Sequence, residues 1–262
     1  MKCKSEFSLE HFTLTHANPH IFLISQWQKQ CSGNFIYVVY RWAVAIFFAT
    51  TLILCYAENW NKAASDQAKF FIYFTNWAYI ISTFQAIVIA ALTTRIYAKI
   101  HDNSRLNVVS LKCYKLYWLN NIVSTDAAFL VTIMYWTFIY DPKIDVLNYA
   151  NIFKHVSNSM VAMVDLFVVA HPVRLLHGFY TVVFCTLYTL FTVLYYLCDG
   201  RNKNGYTYVY NFLDWRKPWY TLTKCSGFVV IVVMLHGFVW LLYHLRRWFY
   251  WKYCDTKEEN KH

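Results

Sequence analysis

Six stretches of this chain stay apolar for about 20 residues at a time, at 35–56, 70–92, 117–140, 146–170, 178–198 and 222–243. At 1.5 Å of rise per residue a helix of about 20 residues crosses the roughly 30 Å hydrocarbon layer of a bilayer. Inside that layer only a helix or a closed barrel satisfies its own peptide groups. Barrel strands need about 9–11 residues, so runs of this length predict an all-α polytopic membrane protein, a six-span helical bundle. Composition agrees: 58% of the 262 residues are apolar, 21% aromatic and 15% charged. An average soluble domain is about 25% charged. The organisation that follows is an N-terminal segment, 1–34, a bundle domain, 35–248, and a C-terminal tail, 249–262.

The charge is unevenly placed. Of 24 Lys and Arg, fifteen fall in the N-terminal segment and the start of the first run, the 93–116 loop, the 171–177 turn and the C-terminal stretch; eight fall in the opposite loops. Because cytoplasmic loops carry the excess of Lys and Arg, both termini are expected in the cytoplasm and the 199–221 loop outside. The net charge of +10 then reads as topology charge. Nucleic acid is not an expected partner; membrane lipids are. Residues 1–34 hold Glu6, His11, His16, Pro19 and Gln26 in place of a basic stretch followed by an apolar one. The reading therefore expects no cleavable signal peptide and insertion through the first run.

The eight cysteines include no CxxC pair and none at zinc spacing with histidine, so neither a metal nor a cofactor is expected. Cys198 and Cys225 bracket the outer loop, in a compartment that permits a disulfide. No Asn-x-Ser/Thr sequon occurs.

The fourth run carries the most informative pattern. Asn148, Asn151, His155, Asn158, Ala162 and Asp165 follow one another at steps of three and four, which keeps them on one helical face. Such a face cannot meet lipid, since an ionised Asp there costs about 2.5–3.5 kcal/mol on insertion scales. Its expected partners are Thr75 and Asn76 in the second run and Asn120, Asn121 and Asp126 in the third, together forming a polar intramembrane pocket. Two readings stay open. In one the stripe links helices by hydrogen bonds worth about 0.6 kcal/mol each. In the other it lines a site with His155 as general base. After the fourth run, His171, Arg174 and His177 offer donors to lipid phosphates of the cytoplasmic leaflet.

Several of these residues recur in a familiar order. Ser25, Gln26 and Trp27, then Tyr40, Arg41 and Trp42, then Phe74 to Trp77, His155 to Asn158 with Asp165, His171, Pro172, Arg174 and His177, and finally Tyr208 to Tyr210 with Leu213, Asp214 and Trp215 resemble the rolling stone family. The resemblance implies a multi-pass plasma-membrane protein, a non-catalytic component in cell differentiation or myoblast-type cell fusion. A more distant likeness joins the chain to androgen-induced six-span hydrolases of fatty-acid esters. That likeness implies Thr75 as nucleophile and sets His155 three residues before the family's catalytic histidine; hydrolysis then needs His155 to substitute as base, with Asn76 or Asn158 as oxyanion donors. Asn158 stands where that family keeps its catalytic histidine, and an amide cannot take a proton from Thr75.

Overall fold

The computed structural model describes residues 7–28, 34–58, 60–101, 108–142 and 148–255. They are helical, and the pairing of extended backbone among them is a single antiparallel bridge between Ser25 and Val169. We number the long helices α1 (Phe35–Ala57), α2 (Phe74–His101), α3 (Val108–Met134, prolonged by a π-helical turn Tyr135–Ile139), α4 (the continuous helical run 149–168), α5 (Gly178–Leu197) and α6 (Pro218–Tyr250, prolonged by a π turn Trp251–Asp255). Five of them, all but α4, are long and apolar enough to cross a membrane.

Local chemistry sets the ends. The Asn34 side chain caps α1 by accepting from the backbone N–H groups of Ile36 and Tyr37. Pro218 opens α6 at a position where its missing N–H costs nothing. The apolar runs and the helices differ at α2, which starts at Phe74 because Lys69–Ile72 forms a 3-10 turn and Tyr73 is extended. It ends nine residues beyond the apolar run, at His101. The helix α6 likewise runs on past the apolar stretch and through the start of the expected tail at 249. Hydropathy marks where hydrocarbon ends; backbone hydrogen bonding continues into the interface.

The helix α4 is built differently. A first turn, Tyr149–Ile152, passes into a π turn, Phe153–Ser157, and then into Asn158–Val168. Its contacts show that it runs the length of the bundle. At one end Asn148 donates to Glu58, just past α1; at the other the Val168 carbonyl meets Ser25 and Gln26 of the N-terminal segment. We call the end carrying residues 7–28 the near end and the other the far end. Residues 7–28 are part of the core: Phe22 and Leu23 pack with Ile89, Leu92 and Ile96 of α2 and Tyr114, Tyr117 and Trp118 of α3.

Candidate functional site

The last four carbonyls of a helix have no partner within it, and in a membrane bundle each must find one. The end of α4 accounts for all four. Val169 N–H donates to Asp165 at 3.0 Å, the Arg246 guanidinium to Leu166 at 2.8 Å, and the Trp27 indole to Phe167 at 2.8 Å. Val168 accepts from both the Ser25 hydroxyl and the Gln26 N–H at 2.9 Å. The Ser-Gln-Trp triplet is thus a cap supplied from 140 residues away in sequence.

Beside this cap lies a buried ion pair. Arg41, 1% exposed, donates through Nη1 to Asp165 Oδ1 at 2.7 Å and through Nη2 to the Tyr37 hydroxyl. Tyr40 donates to the same Asp165 oxygen at 3.0 Å. Arg246, fully buried, takes the Leu166 and His171 carbonyls at 2.8 Å each, so the negative end of the α4 dipole offsets its charge. Between the two arginines, the Tyr117 hydroxyl and His171 Nε2 are hydrogen-bonded at 3.0 Å.

A second polar group joins α3, α5 and α6. His236 Nε2 lies 2.9 Å from the Arg174 carbonyl, which only accepts, so that nitrogen carries a hydrogen. Its Nδ1 faces Asp126 Oδ2 at 2.9 Å, and Thr181 donates to the same oxygen at 2.6 Å. One proton therefore sits between Nδ1 and Oδ2, and the pair is neutral whichever atom holds it. A Cβ at Gly178 would stand 2.9 Å from the His236 ring, so only glycine lets the ring come this close.

The structure buries His171 and His177 and leaves Arg174 half-buried, and it gives each of these candidate lipid-phosphate contacts a partner in the N-terminal segment. His171 is 1% exposed, stacked on Phe22 and bonded to Tyr117. His177 is fully buried against Trp118 with Nε2 3.3 Å from the Thr13 carbonyl. Arg174 donates to the Thr13 and Thr15 carbonyls at 2.7 and 2.9 Å and lies over the Trp118 ring. All three hold the N-terminal segment to the bundle.

The expected polar pocket separates into parts. Asp126 and Asp165 belong to the two clusters above. Asn158 and Asn121 line a small cavity of about 20 Å³ with Gln85, Ser124 and Asp165, room for about one water. Both amide atoms of Asn158, 1% exposed, lack a protein partner. Asn76 donates to the Phe70 carbonyl at 2.6 Å, Asn120 to the Leu116 carbonyl one turn back on its own helix, and Asn151 sits in the first turn of α4, its N–H held by Asn148.

Thr75 and His155 are not brought together. Thr75 lines, with Tyr210, an apolar cavity of about 260 Å³ among α2, α3, α5 and α6. His155 is absent from that lining. It lies in the π turn of α4, stacked on Tyr135 of the α3 π turn at 3.6 Å between ring centroids, with Trp136 donating to its carbonyl. Cys198 and Cys225 are free thiols.

Sequence reasoning missed the roles of Arg41, Arg246 and His236, counting the two arginines only as topology charge and leaving His236 unmentioned. The signal was phase. Arg41 continues the buried series Tyr37, Ala45 and Phe48 of α1, and Arg246 continues Val232, Leu235, Val239 and Tyr243 of α6.

A family model described as protein rolling stone matches residues 2–256. The chain is similar to a protein named rolling stone from Drosophila melanogaster, 29% identical over 258 residues, covering 94% of this chain and 92% of that relative. No solved structure matches.

Proposed function

The chain belongs to the rolling stone family, and from that premise we propose a non-catalytic plasma-membrane component of cell differentiation or myoblast-type cell fusion. It is a six-span bundle with both termini in the cytoplasm. In support of the sixth span, α4 is hydrogen-bonded at both ends of the bundle and its buried Asp165 is paired with Arg41. An even number of crossings returns the C-terminus to the side of the N-terminus. Surrounding lipids are its standing partners.

The observation that carries the non-catalytic reading is the separation of Thr75 from His155. A nucleophile and its base must lie within hydrogen-bond reach, and here one lines a cavity that the other does not share. The fatty-acid-ester hydrolase reading has nothing else behind it.

The test is rescue of fusion in myoblast-type cells depleted of the protein. Wild type, Thr75→Ala and His155→Ala are expected to restore the fraction of multinucleate cells equally, and Asp165→Leu to restore less. Loss of rescue with Thr75→Ala and His155→Ala, at normal surface levels, would return the reading to hydrolysis. Epitope tags at either terminus are expected to stain only after permeabilisation, and a tag in the 199–217 loop to stain intact cells.

A further inference from the structure

The apolar cavity at the far end has no part in the two polar clusters. Its floor is made by side chains that are otherwise sealed from the surroundings: Val131 is 2% exposed and Met134 9%. Its mouth opens between α5 and α6, where Leu222 is 46% exposed and Val229 37%. Both helices are long and apolar enough to cross a membrane, so the mouth opens onto hydrocarbon.

Most hydroxyls along the wall are already engaged. Thr186 donates to the Val182 carbonyl, Thr189 to the Cys185 carbonyl, Ser226 to the Leu222 carbonyl and Tyr188 to the Ile72 carbonyl, which leaves Thr75 and Tyr210 as the polar exceptions. A polar headgroup drawn inside would lose its water and find few free partners, a cost of several kcal/mol per unsatisfied group. Water is disfavoured for the same reason, because apolar cavities stay dry. A hydrocarbon chain has no such cost. It leaves other hydrocarbon, enters sideways, and gains dispersion contacts with walls that would otherwise face a void.

We propose that this cavity is an acyl-chain site, which takes the tail of one membrane lipid from the bilayer through the gap between α5 and α6 and holds it against Val131 and Met134. The headgroup stays outside, and no bond is broken. The proposal rests on the reading that α5 and α6 lie in a bilayer.

The experiment uses the full chain in phosphatidylcholine vesicles doped with a phosphatidylcholine that carries a diazirine part-way along one acyl chain. After irradiation, adducts are located by mass spectrometry. Met234, 69% exposed on α6, reports lipid at the outer surface of the bundle, and Met134 reports lipid in the cavity. Adducts are expected at both. Two substitutions at the mouth, Ser226→Phe at an exposed position and the bulkier Cys225→Trp, are expected to lower Met134 adducts at least fivefold and leave Met234 unchanged. If one variant fails to fold, the other gives the reading. Adducts at Met234 without any at Met134 would overturn the site. So would Met134 adducts that neither variant reduces, since the chain would then arrive by another path. Adducts at neither residue would overturn the bilayer placement on which the site rests.

Discussion

The near and far ends of the bundle solve the same problem in opposite ways. At the near end the chain buries two arginines, an aspartate and two histidines, and gives each a partner drawn from a distant part of the sequence: Arg41 with Asp165, Arg246 with the end of α4, His171 with Tyr117, His177 with Thr13. At the far end the contacts are mostly rings, such as Phe74 with Tyr188, Tyr135 with His155 and Phe212 with Phe228, and a cavity of about 260 Å³ remains among them. Apolar packing is tolerant of exchange and of space. A buried charge is not, because each partner removed leaves the other unpaired. The difference teaches where this fold is specified: helix order and register are held at the near end, and the far end is free to keep room for a guest.

The largest effect expected is at the ion pair. Arg41→Leu or Asp165→Leu alone strands a charge in the bundle and is expected to cost about 3–5 kcal/mol, read as unfolding of the purified protein in micelles. The double substitution is expected to recover most of that loss, since no charge remains uncompensated. A double variant as unstable as either single one would mean that the pair acts through its tyrosine partners rather than through charge. Thr75→Val at the far end exchanges one cavity-lining hydroxyl for a methyl group, a change expected to stay within about 0.6 kcal/mol. Equal costs at Thr75 and Asp165 would dissolve the contrast between the ends.

A smaller effect separates close packing from helix propensity. Gly178→Ala places a methyl group 2.9 Å from the His236 ring and is expected to cost about 1–3 kcal/mol through forced displacement of that ring. Gly237→Ala, on the next residue of α6 but with nothing within 4 Å of its added carbon, is expected to be neutral or slightly stabilising. The same denaturation measurement checks both.

How much of this was legible in the sequence follows from what each feature depends on. The helices were legible because 20 apolar residues allow no other structure in a bilayer, and the inward face of α4 was legible because its steps of three and four are a local pattern. The fate of that face was not. Asp165 was visible as a buried charge, but its partner lay 124 residues away at a position that hydropathy assigns to the membrane interface. His171, Arg174 and His177 looked like donors to lipid phosphates because nothing local reveals that residues 7–28 pack against them. Likewise Ser25, Gln26 and Trp27 were visible as a family signature, while the work they do requires the end of α4 to be beside them. Thr75 and His155 show the reverse case: a resemblance paired them, whereas Thr75 lines the far-end cavity and His155 stacks on Tyr135 outside its lining.

The smallest effect expected concerns pH, and it sharpens the contrast between the ends. In the far-end loop, hydrogen bonds from the Arg216 side chain hold the Asp214 carboxyl below the usual carboxylate range. Asp214 also fixes the loop through its carbonyl, which accepts from the Lys217 N–H and the Thr221 hydroxyl at 2.9 and 2.8 Å. A depressed folded-state value means that the contribution of this pair is complete above the ordinary aspartate value of about 3.9. It is lost as pH falls through the lower folded value. Hydrogen exchange over 199–217, corrected for intrinsic rate, is therefore expected to be flat from pH 8 to pH 5 and to rise only below about pH 4. In Asp214→Asn, which has no carboxyl to protonate, the rise should vanish into a uniformly faster rate. A rise beginning near pH 6 would belong to histidine. Such a step would mean that the loop opens through a histidine contact and not through the Asp214–Arg216 pair.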